Sequence, residues 1–207
     1  FLAIHLSAVS AGFVRDGRDN PIDPRKGNYF SADLQYSSKL FGSDPDFLKS
    51  LTQFQFYSPF HSTVFATSLR LGVAREFDGP PDQLPLSQRF FAGGGRTIRG
   101  FELDTAGPLD PITGEPTGGN ALFIWNLEYR FPLFGSLGAV VFFDYGHVFE
   151  LISEFTFDDM RETAGLGIRY KTPIGPVTVD WGYKLDRKFE PIRESPSEFF
   201  ISVGHAF

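Results

Sequence analysis

The side chains best able to ligate a metal or move a proton near neutral pH are His5, His61, His147 and His205, and they are dispersed with no ligand spacing. Cysteine is absent, which removes thiolate sites and disulfides. No serine sits in a nucleophile elbow. Residues 15–27 gather Asp16, Asp19, Asn20 and Asp23, a composition suited to calcium, but the spacing is not that of an EF-hand and Pro21 and Pro24 fix a turn. The run Arg89-Phe90-Phe91-Ala92-Gly93-Gly94-Gly95-Arg96-Thr97-Ile98-Arg99-Gly100-Phe101 has glycines spaced to cradle a phosphate. No Lys-Ser or Lys-Thr follows it, however, and no strand-then-helix context surrounds it. The expectation is a non-enzymatic protein with no cofactor and no metal.

The elements that must position these residues alternate with period two. Val177, Val179, Trp181, Tyr183 and Leu185 fall on one face, against Thr178, Asp180, Gly182 and Lys184 on the other. Phe123, Trp125, Leu127, Tyr129 and Phe131 oppose Asn126, Glu128 and Arg130, and Ala164, Leu166, Ile168 and Tyr170 oppose Thr163, Gly165, Gly167, Arg169 and Lys171. Similar segments lie at 30–36, 51–57 and 65–74, and a less regular one at 137–149 sets Val141, Phe143 and Tyr145 against Phe142, Asp144 and Gly146. Leu2, Ile4 and Leu6 alternate and then shift phase to Val9, Ala11 and Phe13, which predicts a break near Ala8. Counting the last segment, nine strands are expected and no helix of comparable length.

A chain of 207 residues, 42% hydrophobic and 21% charged, is a folded domain and not a disordered one. No stretch approaches the roughly 18 apolar residues of a membrane-spanning helix, a criterion that leaves strand barrels open. A net charge of -6 with scattered Lys and Arg argues against a nucleic-acid partner. The polar face mixes Gly, Ser, Thr and Gln with charges, whereas the apolar face carries aromatics at the segment ends, and Phe alone accounts for 25 residues. That is the pattern of an antiparallel transmembrane β-barrel, with a lipocalin-like barrel or a sandwich as alternatives.

Links at 59–63, 134–136 and 173–176 are short and alternate with long ones at 38–50, 78–119, 150–162 and 186–197, as in an outer-membrane barrel. Residues 15–27 fall on the short-turn side. The chain stops on Phe207, straight after an alternating strand in which Phe199, Ile201, Val203 and Phe207 are expected to face lipid.

Phe91-Ala92-Gly93-Gly94 followed by Ile98-Arg99-Gly100-Phe101 resembles the loop motif of the outer-membrane assembly superfamily that includes BamA, TamA and two-partner secretion transporters. The likeness continues through Gly118-Gly119-Asn120, Leu127-Glu128-Tyr129-Arg130-Phe131-Pro132, Phe142-Phe143-Asp144-Tyr145-Gly146, Gly167-Ile168-Arg169-Tyr170, Thr172-Pro173-Ile174-Gly175-Pro176-Val177 and the closing Phe207. The BamA and TamA branch is the nearer one.

The resemblance implies that the loop at about 78–119 folds into the lumen and that Arg99, with Gly100 and Phe101 beside it, pairs with Glu128 and Asp144. The period-two reading places both carboxylates on the wet face independently. A guanidinium is a rigid fork for carboxylates. Whether this contact only holds the loop or also gates it stays open. The resemblance further implies a bacterial outer-membrane factor that inserts and folds other barrels. Its partners are then outer-membrane lipids, unfolded outer-membrane clients and possibly itself through open strand edges. A secretion pore for an unfolded exoprotein and a short passive barrel are the alternatives. The chain opens on Phe1 without a signal peptide, and residues 1–207 are expected to be the C-terminal part of a sixteen-stranded barrel preceded by POTRA domains. The other possibility is a short barrel closed at eight strands, with strand 2 against the last strand and residues 1–15 displaced.

Overall fold

The computed structural model describes residues 5–77, 84–173, 175–188, 194–204 and 207. Leu2, Ile4 and His205 lie outside the described residues, as do 78–83, Ile174 and 189–193.

Nine strands form one antiparallel sheet in chain order: β1 (Ala8–Asp16), β2 (Gly27–Ser37), β3 (Phe47–Phe60), β4 (Thr63–Glu76), β5 (Ala121–Phe134), β6 (Leu137–Phe149), β7 (Arg161–Thr172), β8 (Gly175–Lys184) and β9 (Ser197–Val203). Three single 3₁₀ turns, Lys39–Phe41, Leu86–Gln88 and Ile152–Glu154, lie in the connections. The first strand starts at Ala8, where the apolar phase shifts. Among the described residues β1 and β9 each lack a partner on one edge, and the sheet is not closed.

Alternation sorts the side chains by face. On β5, Leu122, Ile124, Asn126, Glu128 and Arg130 are buried while Trp125 is 40% exposed; on β8, Thr178, Asp180 and Lys184 are buried while Trp181 and Tyr183 are exposed. Here the inner face is the polar one, as in a barrel wall whose outer face meets lipid. β1 is exposed on both faces.

The inner face curls around the returning loop 84–120. Leu84, Phe90, Ala92, Ile98, Phe101 and Ala106 of the loop form one buried cluster with Phe47, Ala74, Leu122, Ile124 and Val148 of the wall. Two bridges, Phe90 to Gly119 and Leu109 to Pro116, give the loop its own scaffold.

At the short-turn end the curl brings distant turns together. Residues 17–26 are ordered by Asp19, which accepts from the backbone N–H of Asn20, Arg25 and Lys26, and by Asn20, which accepts from Ile22 and Asp23. These are local side-chain-to-backbone turns. From this segment Asp23 reaches Lys171 on β7 at 2.7 Å, and Arg25 donates to the Ser62 carbonyl at 2.8 Å.

Two expectations are corrected. Residues 8–16 are not displaced: they pair with β2 from Ala8 opposite Ser37 to Asp16 opposite Tyr29, and β2 does not close on β9. Phe207 does not extend the outward row. Strand β9 ends at Val203, Gly204 adopts φ 102 and breaks the alternation, and the Phe207 ring lies 6.3 Å from the buried Tyr57 and 5.5 Å from Arg130.

Candidate functional site

The short β5–β6 turn and the irregularity just inside it together set the register that levels the acidic residues. After a one-residue shift between Phe134 and Pro132, Pro132 stands opposite Gly138, so Asn126 falls opposite Asp144 and Glu128 opposite Phe142, and all four point inward. The β7–β8 hairpin sets Gly167 opposite Asp180. Glycine is required there, because a Cβ on Gly167 would collide with the Asp180 carboxylate and one on Gly165 with the Phe142 ring.

Arg99 comes down from the loop into this patch and is fully buried. Its Nε and Nη2 donate to the two oxygens of Asp144, each at 2.8 Å, and its own backbone N–H donates to Asp144 Oδ2 at 2.9 Å. Nη1 donates to Glu128 and lies 3.9 Å from Asp180 Oδ2. The guanidinium carbon stands 3.6 Å from the centroid of the Phe142 ring, a stacked cation–π contact. Burial acts against the Arg99 charge, and the carboxylates of Asp144 and Glu128 more than offset it, holding the group above the ordinary arginine range.

The surrounding charges complete the account. Arg130 Nε donates to Glu128 Oε2 at 2.7 Å, and Arg169 grips Asp180 with two bonds of 2.5 and 3.0 Å. Three arginines thus face three carboxylates, Glu128, Asp144 and Asp180, and the cluster is neutral. Neutrality matters because an unpaired charge in such a place costs several kcal/mol. Asn126 Nδ2 bridges Asp144 and the Thr97 carbonyl at 2.8 and 2.6 Å.

The residues after Arg99 wedge against β8. Gly100 has φ 100, and a Cβ there would meet Gly182 backbone at 3.2 Å. Phe101 is buried between Arg161 and Lys184, at 4.5 and 4.6 Å from its ring centroid. Arg161 in turn donates to Asp186 and Glu194, which ties the β8–β9 connection to the loop.

The structure therefore brings together Arg99, Glu128 and Asp144, with Gly100 adjoining and Phe101 one contact further. Phe199, Ile201 and Val203 sit apart on the exposed face of β9, and Phe207 sits beside Arg130. Sequence reasoning assigned no part in the cluster to Asp180, Arg130, Arg169, Asn126 and Phe142. The polar four were legible as wet-face residues; Phe142, an aromatic in the polar phase, was the overlooked signal.

The arrangement presents neither a free nucleophile nor, among the described residues, a group of three metal-ligating side chains. It can clamp a loop inside a curled wall, and known proteins with this architecture bear on what that means. The Omp85 superfamily domain matches residues 4–207. The chain is 32% identical over 207 residues, 97% of its length, to a Nitratidesulfovibrio vulgaris protein named outer membrane protein assembly factor BamA, and spans 26% of that relative. A mouse protein named sorting and assembly machinery component 50 homolog is 30% identical over 128 residues, 61% of this chain and 26% of the relative. In structure the chain matches BamA from Haemophilus ducreyi lacking POTRA domains 1–3, with a TM-score of 0.75 and 22% identity over 93% of this chain and 41% of that one, a likeness of fold. With the family domain spanning nearly every residue that builds the wall and its clamped loop, this chain belongs to the Omp85 superfamily.

Proposed function

We propose that the chain is the C-terminal portion of a bacterial outer-membrane β-barrel that helps other outer-membrane proteins insert and fold, without covalent chemistry of its own. The observation that carries this reading is the loop locked by Arg99 to Glu128 and Asp144 inside a wall whose β1 and β9 edges have no partner among the described residues. Unpaired strand edges in a membrane must find hydrogen-bond partners, from the rest of a barrel, from a client strand or from another copy. The outward Trp125, Trp181, Phe199, Ile201 and Val203 suit a lipid neighbour.

The name of the Nitratidesulfovibrio relative supports an assembly role, and its 32% identity over 97% of the chain, higher than that of a SAM50-like relative over the same span, favours a bacterial envelope over a mitochondrial one. That the chain spans 26% of this relative supports a larger barrel protein. In this reading Arg99, Gly100, Phe101, Glu128 and Asp144 form the latch that keeps the loop in the lumen, and Phe199 to Phe207 carry the closing-strand signal.

The test is Arg99→Ala and Arg99→Lys in the full-length gene, in cells depleted of the wild-type copy. Outer-membrane protein levels should fall with Arg99→Ala and fall less with Arg99→Lys, while the variant itself stays inserted. Normal assembly with an unlatched loop would overturn the reading.

A further inference from the structure

Two of the long connections fold to opposite sides of the wall. Residues 84–120 return over the inner face, whereas 150–160, between β6 and β7, turn back over the outer one. Ala121 and Phe149 stand opposite each other in the outward phase of β5 and β6, the phase of Trp125 and Tyr145, yet they are only 3% and 4% exposed. Met160 packs with them in a cluster that also takes in Phe123 and Tyr145, so the connection roofs a small second core on the outside of the sheet. The rings of Phe155 and Phe157 meet Phe123 edge-on, at 6.2 and 5.6 Å between centroids, and the Tyr145 hydroxyl donates to the Phe157 carbonyl at 3.0 Å. Tyr145 lies four residues before the end of β6, so the connection lies down along the wall and does not stand up from its rim. Nearer its start, Leu151, Ile152 and Ser153 reach the end of β4, where they border a cavity of about 410 Å³ with Ala74 and Arg75.

Much of what this segment leaves uncovered is apolar. Ile152 and Phe155 are each 39% exposed and Phe157 59%. The exposed apolar surface runs on from the segment down the wall, through Leu71, opposite Phe123, and Trp125, opposite Tyr145. That continuity selects the occupant, because a protein partner seated here would have to displace lipid from Leu71 and Trp125 as well. The charged residues of 150–160 are Glu150, Glu154, Asp158 and Asp159, all exposed. Aromatic rings continuous with a lipid-facing wall, beside carboxylates that stay in water, are the composition of a bilayer interface. With no Lys or Arg in the segment, its attachment is through the rings and not through attraction to phosphate.

We infer that residues 150–160 are an interfacial foot, seated in the headgroup layer of the leaflet at the long-loop rim, with Ile152, Phe155 and Phe157 in its apolar margin. The inference rests on the reading of the wall as a membrane barrel.

The experiment is site-directed spin labelling of the full-length protein in phosphatidylcholine vesicles. The 207 residues contain no cysteine, and any cysteine outside them is replaced by serine. Labels are placed one at a time through Ile152→Cys, Phe157→Cys and Asp159→Cys. Leu71→Cys on the wall and Ile112→Cys, in the exposed part of the inward loop, serve as references for lipid and water. Relaxation is read with oxygen, which concentrates in lipid, and with a water-soluble nickel complex. At Ile152 and Phe157 the oxygen-to-nickel ratio should exceed that at Ile112 at least about 3-fold, as insertion to about 5 to 10 Å in the headgroup boundary implies. The Asp159 site should match Ile112, and high salt should leave every ratio unchanged. Ratios at Ile152 and Phe157 equal to that at Ile112, with Leu71 still in lipid, would overturn the foot and leave the barrel standing. Shielding of both sites from oxygen and nickel alike would put a protein there instead and overturn it too. A water-like ratio at Leu71 would remove the barrel reading itself.

Discussion

The guanidinium of Arg99 lies flat on the ring of Phe142, 3.6 Å from its centroid, so the loop's cation is held by an aromatic face as well as by carboxylates. A desolvated cation–π contact contributes about 2 kcal/mol. Phe142→Leu keeps apolar bulk and removes the ring's field. Exchange of amide hydrogens in 96–101 should accelerate by roughly 10-fold or more, with β5 and β6 exchange unchanged. Unchanged loop protection would show that the ring only fills space.

The carboxylate contacts should be coupled. Removing one member of a buried charge pair costs about 3 to 5 kcal/mol, reduced where water enters. Arg99→Ala and Asp144→Ala should each expose the loop to protease in the full-length protein. The double variant should be less impaired than the sum, because neither charge is then left alone. Strict additivity would remove the pairing.

Gly182 is the wall residue on which the loop rests. A Cβ there would lie 2.5 Å from the Gly100 nitrogen and 2.7 Å from the Arg99 carbonyl carbon, which is backbone with nowhere to move. Overpacking of this kind typically costs about 1 to 3 kcal/mol. Gly182→Ala should preserve strand content by circular dichroism while loosening 97–101. Crystal or cryo-EM coordinates of the variant with the loop unmoved would contradict this.

Acid should loosen a different tether. Burial pushes the Glu194 carboxyl up, and hydrogen bonds from Arg161 and the Lys188 backbone outweigh it, so Glu194 titrates below its ordinary value. A lowered carboxylate contributes stability that is present above its unfolded value and lost as pH falls through the folded one. Proteolysis near 185–188 should therefore be slow at neutral pH and quicken only in the acid range below the ordinary glutamate value. Glu194→Gln should be fast throughout, and a wild-type rate that does not vary with pH would reject the tether.

Much of the wall was readable because period two survives any tertiary detail: Trp181 outward and Asp180 inward follow from alternation alone. The levelling of Asn126 with Asp144 was not, because the register shift between Pro132 and Phe134 moves every pair beyond the turn by one residue and leaves no mark in the alternation. The loop path was not. It has no repeat to read, and its position comes from packing of Ile98 and Phe101 against strands far away in the chain. Phe142 broke the polar phase because its job is to lie under a cation, and Gly165 and Gly167 counted as wet residues when their role is to leave room. Phe207 went astray because one left-handed glycine, Gly204, ends the alternation that the row of apolar residues suggested.

The contact of Asp23 with Lys171 spans the mouth from the β1–β2 connection to β7, and Ile22 comes close enough that a Cβ on Gly175 would touch it at 3.4 Å. One rim is thus laced across its width, while at the opposite rim the Ala8 end of β1 pairs with β2 alone among the described residues. Such a sheet behaves like a pair of covers hinged at the laced rim. Any parting of its two margins is widest at the long-loop rim and closes to nothing at the laced one, giving a tapered slit whose angle, rather than its width, is the natural measure of movement.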